Sequence, residues 1–251
     1  MTVTAHHVSG AARLFSSSHE MSYGEQAALT GILSALKPRL ALELGTFRGG
    51  SLGPIAAYSG EVHTFDLVSH VTESLPNVTY HIGDSRITLP RVLSELAEAQ
   101  RHIDFVLVDG DHSRAGVEAD MTNLLHSPAL STTVILLHDC ANEGVREGAR
   151  NAILSADGLA YADLSFVAPP ARWASPLSES WGGLGIVVVD RPGELWQLER
   201  QTLPNVQWPT TGSRSLAWHA LRPARSFKRD LVYRARPLYR RLRGTRGARI
   251  G

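Results

Sequence analysis

The sequence predicts an α/β protein: a doubly wound, mostly parallel sheet of seven strands, closed by an antiparallel strand near the C-terminus. Three observations carry this. Short apolar, β-branched runs recur along the chain, segments with helical spacing separate them, and a glycine-rich turn follows the first run directly.

Ser22-Tyr23-Gly24-Glu25 has the S-x-x-E form of a capping box, so the alanine- and leucine-rich stretch to Leu36 reads as a helix stopped before Pro38. Strands are expected at Arg39 to Leu44, Val62 to Asp66, Val78 to Ile82, Ile103 to Val108 and Thr133 to His138. Helices are expected at about 50 to 58, 87 to 100 and 114 to 126, the last with Val117, Met121, Leu124 and Leu125 on one face. A helix to about 155, a strand from Ala160 to Val167 and a strand from Leu184 to Asp190 complete the domain, and Arg191-Pro192-Gly193-Glu194 reads as a turn. The division predicted is an N-terminal segment 1–21, a domain over 22–202 and a tail over 203–251.

At 251 residues, with 43% hydrophobic and 20% charged, the chain is long enough to bury one large core. No apolar run approaches the ~20 residues that a membrane span needs, and the opening MTVTAHHVSGAARLF lacks the basic-then-apolar profile of a secretory signal. A cytoplasmic location is the expectation. The single cysteine, Cys140, excludes an intramolecular disulfide framework and a zinc site built on several thiolates.

The net charge of +1 conceals an asymmetry. From Arg222 onward stand eleven Lys or Arg and one acid, Asp230, so the body is acidic and the tail strongly basic. Tyr233, Leu238, Tyr239 and Leu242 interleave with the arginines of residues 222–249. This suits an amphipathic helix on an anionic membrane surface or on the acidic body, and equally a solvated terminus. No specific nucleic-acid partner is expected, and a homo-oligomer is compatible with the pattern.

Glu43-Leu-Gly45-Thr46-Phe47-Arg48-Gly49-Gly50-Ser51 opens a helix directly after the first strand. Glycines let the backbone approach a ligand, and a helix N-terminus offers free N–H groups, so this is a nucleotide-type turn. A dinucleotide fingerprint would need glycine where Phe47 stands. Asp66, 21 positions beyond Gly45 at the end of the second strand, can accept both hydroxyls of a ribose. A ligand with a ribose, no phosphate and its own ammonium group suits Glu43, which would repel a pyrophosphate; S-adenosylmethionine has that chemistry. Its adenine amine would find Asp84 in Gly83-Asp84-Ser85. Glu43 could instead cap local backbone, and Gly-Asp-Ser is also an ordinary turn.

The stretch IDFVLVDGDHSRAG, residues 103 to 116, begins as core and then sets Asp109, Asp111 and His112 within four positions. Taken alone it reads as a turn, or as a helix N-terminus capped by Asp111 or Ser113.

Glu43 to Ser51 resembles the first motif, Glu-x-Gly-x-(Tyr/Phe)-x-Gly-x-Ser, of cation-dependent O-methyltransferases of the caffeoyl-CoA type within the class I S-adenosylmethionine-dependent methyltransferases. The resemblance continues through Asp66, Asp109 and Asp139, over roughly residues 22 to 190, and the DGDH and HDC forms are closer to methyltransferases of macrolide and other sugars. It implies a Rossmann-like fold, S-adenosylmethionine as cofactor, and contacts to it from Glu43, Gly45, Thr46, Phe47, Gly49, Ser51, Asp66, Gly83, Asp84, Ser85 and Asp109. It implies a divalent cation, Mg2+ or Mn2+, between Asp109 and Asp139. Where relatives carry a third ligand after the second acid this chain has Cys140, a poor magnesium ligand; others use the residue before it, here His138, and imidazole shifts preference from magnesium toward manganese, zinc or iron. The family's lysine base falls on His112, which the resemblance makes the general base. The implied acceptor is a hydroxyl of a sugar or glycosylated small molecule, or oligosaccharide, with a phenolic acceptor as an alternative; the non-enzyme alternative is a cofactor-binding module recruited to membrane or nucleic acid by its basic tail. Trp173, Trp181 and Arg172 lie where such folds place acceptor-binding insertions.

Overall fold

A computed structural model describes residues 20–71, 74–169 and 180–193. The elements run α1 (Tyr23–Leu36), β1 (Leu40–Leu44), α2 (Leu52–Tyr58), β2 (Glu61–Asp66), β3 (Val78–Ile82), α3 (Ser85–Glu98), β4 (Ile103–Val108), α4 (Arg114–Leu125), β5 (Leu130–Leu137), α5 (Glu143–Leu154), β6 (Leu159–Val167) and β7 (Leu184–Asp190). The seven strands lie in the order β3-β2-β1-β4-β5-β7-β6. β1 to β5 pair in parallel, and β7 inserts antiparallel between β5 and β6. The order turns back at β1, which puts the topological switch point, where open α/β sheets bind ligands, between β1 and β4.

Local chemistry explains the boundaries. The Ser22 hydroxyl and the Glu25 carboxylate form the capping box that starts α1. Asp84 caps α3, so that helix begins at Ser85, two residues before the expected start. Ser113 caps α4 by accepting from Gly116 N (3.0 Å), and Asn142 caps α5 by accepting from Gly144 N (2.9 Å). β5 starts at Leu130, earlier than the expected Thr133, because Leu130 pairs with Ile103 while the polar Ser131-Thr132 hides the strand pattern.

Every residue of β1 is buried, as a central strand covered on both sides requires. One cluster packs α3, α4 and α5 on one sheet face around Leu42, Val106, Met121 and Ile135. The other packs α1 and α2 on the opposite face around Leu33, Ile55, Phe105 and Leu107. Each fully buried side chain of this size contributes about 1.5–3 kcal/mol. Both layers leave the C-terminal tips of the parallel strands to the loops that carry the polar residues. Among the described residues no helix is long and apolar enough to cross a membrane.

Candidate active site

Gly45 joins two of the motifs. It has φ +96°, donates N–H to Phe65 O at the tip of β2 (2.8 Å), and a Cβ there would lie 2.2 Å from Asp109 O. A side chain at 45 would strike the backbone that carries Asp109, so the glycine turn and the end of β4 pack directly together. Asp109 N donates to Leu44 O (2.7 Å), which fixes that register.

The acids of the glycine-loop side are held by neighbouring N–H and O–H groups. Glu43 is fully buried; Ser51 Oγ donates to Oε1 (2.5 Å) and Thr64 Oγ1 to Oε2 (2.7 Å). Ser51 therefore starts α2 without a side-chain cap. Burial outweighs these two hydrogen bonds and pushes the Glu43 carboxyl up to about 8, so it is protonated at neutral pH. Thr46 Oγ1 meets Thr64 Oγ1 at 2.5 Å, and Gly49 N closes the turn on Thr46 O (2.8 Å). Asp66, at the tip of β2, accepts from Phe47 N (2.6 Å) and Val68 N (3.3 Å). Gly83 N donates to Asp66 O (2.9 Å), which brings Gly83-Asp84-Ser85 to the same rim. Asp84 caps α3 and its carboxylate meets Arg86 at 2.6 Å, which holds its pKa below the usual range. Ser85 Oγ donates to Asp120 Oδ1 (2.9 Å). Asp120, which sequence reasoning missed, is buried; burial raises its carboxyl to about 7.

The tips of β4 and β5 are different. Asp109 Oδ1 lies 3.3 Å from His112 Nε2 and 3.1 Å from His138 Nδ1. His112 Nε2 also lies 3.0 Å from Asp139 Oδ2, and Asp139 Oδ1 accepts from Gly182 N (2.5 Å). The expected meeting of two acids from distant parts of the sequence, with an imidazole beside them, is present. Both readings of the opening of α4 hold together, because Asp111 and Ser113 serve the turn and cap while Asp109 and His112 face the cluster. Asp139 sits at φ +58°, a left-handed conformation uncommon outside glycine, asparagine and aspartate.

Charge coupling dominates here. Burial alone would raise Asp109, but the His138 charge and hydrogen bonds from both histidines hold it well below the carboxylate range. Burial opposes the imidazolium of His112, and contacts to Asp109 and Asp139 overcome it, raising that group to about 9. Burial opposes the imidazolium of His138 too, and Asp109, with Glu25 and Asp139, raises it well above its usual value. In this arrangement two imidazolium ions neutralise the carboxylate pair.

Asp109, His138 and Asp139 each offer a ligand atom within 4.8 Å of the others. Two carboxylates and an imidazole fit a divalent cation, and the nitrogen donor favours manganese, iron or zinc over magnesium. Cys140 is not among these groups. Its Sγ points to Leu137 O (3.5 Å) and lies 2.8 Å from where a Gly185 Cβ would stand, and burial pushes the thiol up to about 12.

Trp181 stands beside His112, ring centroids 5.6 Å apart and nearly perpendicular. Arg172, Trp173 and the tail 203–251 lie outside the described residues. A buried acid that sequence reasoning assigned only to a helix cap, Glu25, reaches the cluster from α1: its Oε1 lies 3.7 Å from His138 Nε2 and accepts from Gly183 N. Burial works to raise Glu25, but His138 and Ser22 bring it down to about 2.

Residues 42–140, from β1 through the Asp139-Cys140 turn, match a family model described as a methyltransferase domain. The sheet itself continues past the matched residues, through β6 and β7. A candidate O-methyltransferase from Klebsiella pneumoniae is 16% identical over 69% of this chain and 83% of its own, with a TM-score of 0.52. The O-methyltransferase TomG from Streptomyces achromogenes, involved in tomaymycin synthesis and solved in complex with SAM, is 17% identical over 76% of this chain and 91% of its own, with a TM-score of 0.51. At such identities the likeness concerns the fold. A comparison with curated proteins finds no match.

Proposed function

We propose that the chain is an S-adenosylmethionine-dependent O-methyltransferase that acts on a hydroxyl of a sugar or glycosylated metabolite, assisted by a divalent cation and by His112 as general base. One observation carries the reading: Asp109, His112, His138 and Asp139 converge at the tips of β4 and β5, against the glycine turn through the Gly45–Asp109 contact. The fold shared with TomG, whose structure holds SAM, supports the cofactor.

The cofactor would lie across the tips of β1 and β2. Asp66 would accept its ribose hydroxyls, the N–H groups around Gly45 to Ser51 would receive its carboxylate, and Gly83 to Ser85 would border its adenine. Glu43, neutral and engaged by Ser51 and Thr64, would act from beneath by shaping the loop. Asp109, His138 and Asp139 would hold the cation, which when bound supplies charge to polarise the acceptor hydroxyl.

The chain's own residues align and deprotonate. As the hydroxyl oxygen bonds to the methyl carbon, the sulfonium C–S bond breaks and its electron pair stays on sulfur, leaving S-adenosylhomocysteine. With a cation's charge on Asp109 and Asp139 in place of its own, His112 would lose its imidazolium proton and its hold on the two acids, and its freed Nε2 would accept the hydroxyl proton. Placing oxygen, methyl and sulfur in line supplies much of the rate. Trp181 offers an aromatic face beside the base, which suits the face of a sugar ring. The sugar preference rests on the DGDH and HDC resemblance; a cytoplasmic enzyme whose residues 222–249 meet an anionic membrane surface fits the charge asymmetry.

Transfer of labelled methyl from S-adenosylmethionine to pools of sugars, glycosides and phenols, with chelator and with added Mn2+ or Mg2+, tests the proposal. Labelled glycosides that disappear on chelation are expected. Transfer unaffected by chelator would instead favour catalysis by the His112 contact to the two acids alone, and cofactor binding without transfer would favour a module.

A further inference from the structure

We propose that Glu25 is a positioning residue that orients the metal-binding imidazole of His138 from the first turn of α1; this rests on the cation reading of the site. His138 turns Nδ1 toward Asp109 (3.1 Å) and Asp139 (3.6 Å), which leaves Nε2 pointing the other way. That nitrogen is buried and has no hydrogen-bond partner, yet the carboxylate facing it is Glu25, 3.7 Å away and itself fully buried. An imidazole that coordinates through one nitrogen commonly gives its other N–H to a carboxylate, which fixes tautomer and ring orientation. A small adjustment of either side chain would complete that bond.

The surroundings hold Glu25 in place for this role. Its Oε2 accepts from Ser22 N (2.5 Å), and its Oε1 accepts from Gly183 N. The preceding amide, Gly182 N, holds Asp139 Oδ1. Gly182 and Gly183 both adopt φ near +80°, so two successive amides clamp one metal-site acid and the acid behind its histidine. A capping box needs its glutamate only to reach back to the cap N–H. It does not require the carboxylate to be buried against a histidine 113 positions away, at the tip of a central strand.

The test titrates Mn2+ into the full chain and counts free ion by electron paramagnetic resonance. The proposal expects Glu25→Gln to weaken Mn2+ about tenfold to a hundredfold, the usual effect of losing such an outer partner. S-adenosylhomocysteine affinity should stay within about twofold of the unsubstituted chain. Ser22→Ala removes the hydroxyl cap but leaves the Ser22 N–H on Glu25, and should not change Mn2+ affinity. Equal weakening in Ser22→Ala would assign the effect to helix fraying and overturn the proposal, as would unchanged affinity in Glu25→Gln when the unsubstituted chain binds Mn2+. No Mn2+ binding by the unsubstituted chain would overturn the cation reading and the proposal together. A measurement independent of any folding defect is the tautomer of His138 in the zinc-loaded chain, read from ring 15N shifts: the proton belongs on Nε2 and zinc on Nδ1, and the reverse would refute the assignment.

Discussion

The two halves of the sheet treat their acids in opposite ways. At the tips of β1, β2 and β3, each carboxylate is matched to fixed donors: Glu43 to two hydroxyls, Asp66 to two backbone amides, Asp84 to a helix N-terminus and Arg86. Such donors neither titrate near neutrality nor leave, so this side is a rigid mould. At the tips of β4 and β5, Asp109 and Asp139 are matched chiefly to imidazoles. Imidazole can lose its proton and change partners, so this side can exchange charge with a ligand or a reacting hydroxyl. In the proposed function the first half binds and the second reacts, and Gly45 packed on Asp109 joins them.

Substitutions on the reacting side should have the largest effect. Asp139→Asn should reduce methyl transfer by about a thousandfold or more, the several kcal/mol expected when an acid of a charge-stabilising site is lost. S-adenosylhomocysteine affinity by calorimetry should stay within a few-fold, and a comparable loss of affinity would erase the distinction between the halves. His112→Ala should lower kcat by about a hundredfold to ten-thousandfold with little change in cofactor affinity. Unchanged turnover would remove His112 from the chemistry.

On the binding side the sign of the split reverses. Asp66→Ala should weaken cofactor affinity by about tenfold to a hundredfold, from the loss of charge-assisted hydrogen bonds to the ribose, with a near-normal rate at saturating cofactor. Glu43→Gln should have the smallest effect on activity and show mainly in stability against pH. The folded carboxyl titrates near 8 against an ordinary 4.5, so the folded chain holds a proton that the unfolded chain sheds between those values. Stability from this group is present below about pH 4.5, falls as pH rises toward 8 and is level beyond. The amide cannot titrate, so the melting temperature of Glu43→Gln should decline less over that range than that of the unsubstituted chain. Parallel declines would show that Glu43 is not held neutral.

Most of the framework was legible because the strands of a doubly wound sheet are buried on both faces and read as continuous apolar runs. β7 at Leu184–Asp190 and β4 at Ile103–Val108 fall where the sequence places them. The start of β5 was hidden because the polar Ser131 and Thr132 follow Leu130, whose pairing with Ile103 the local pattern cannot show. In the site, Asp109 and Asp139 were legible as acids that end two strands, whereas His112 and His138 were singled out by the family resemblance alone. The inward turn of Cys140 was not, since its direction depends on Gly185 across the sheet leaving room for the sulfur. Glu25 was concealed by its own local explanation: a capping box accounts for a glutamate completely, and its burial against His138 appears only when α1 docks. Asp120 was missed because a polar residue on a helix otherwise facing the core looks solvent-facing until Ser85 meets it.

The central claim is that the tips of β4 and β5 form one charged site beside the glycine turn. A crystal soaked with Mn2+ and S-adenosylhomocysteine tests it most directly through anomalous difference density. The account predicts one strong peak ligated by Asp109, His138 and Asp139, with the nucleoside along Asp66 and His112 turned away from the two acids. No peak at that position, with His112 still lying between the carboxylates beside a bound nucleoside, would contradict it.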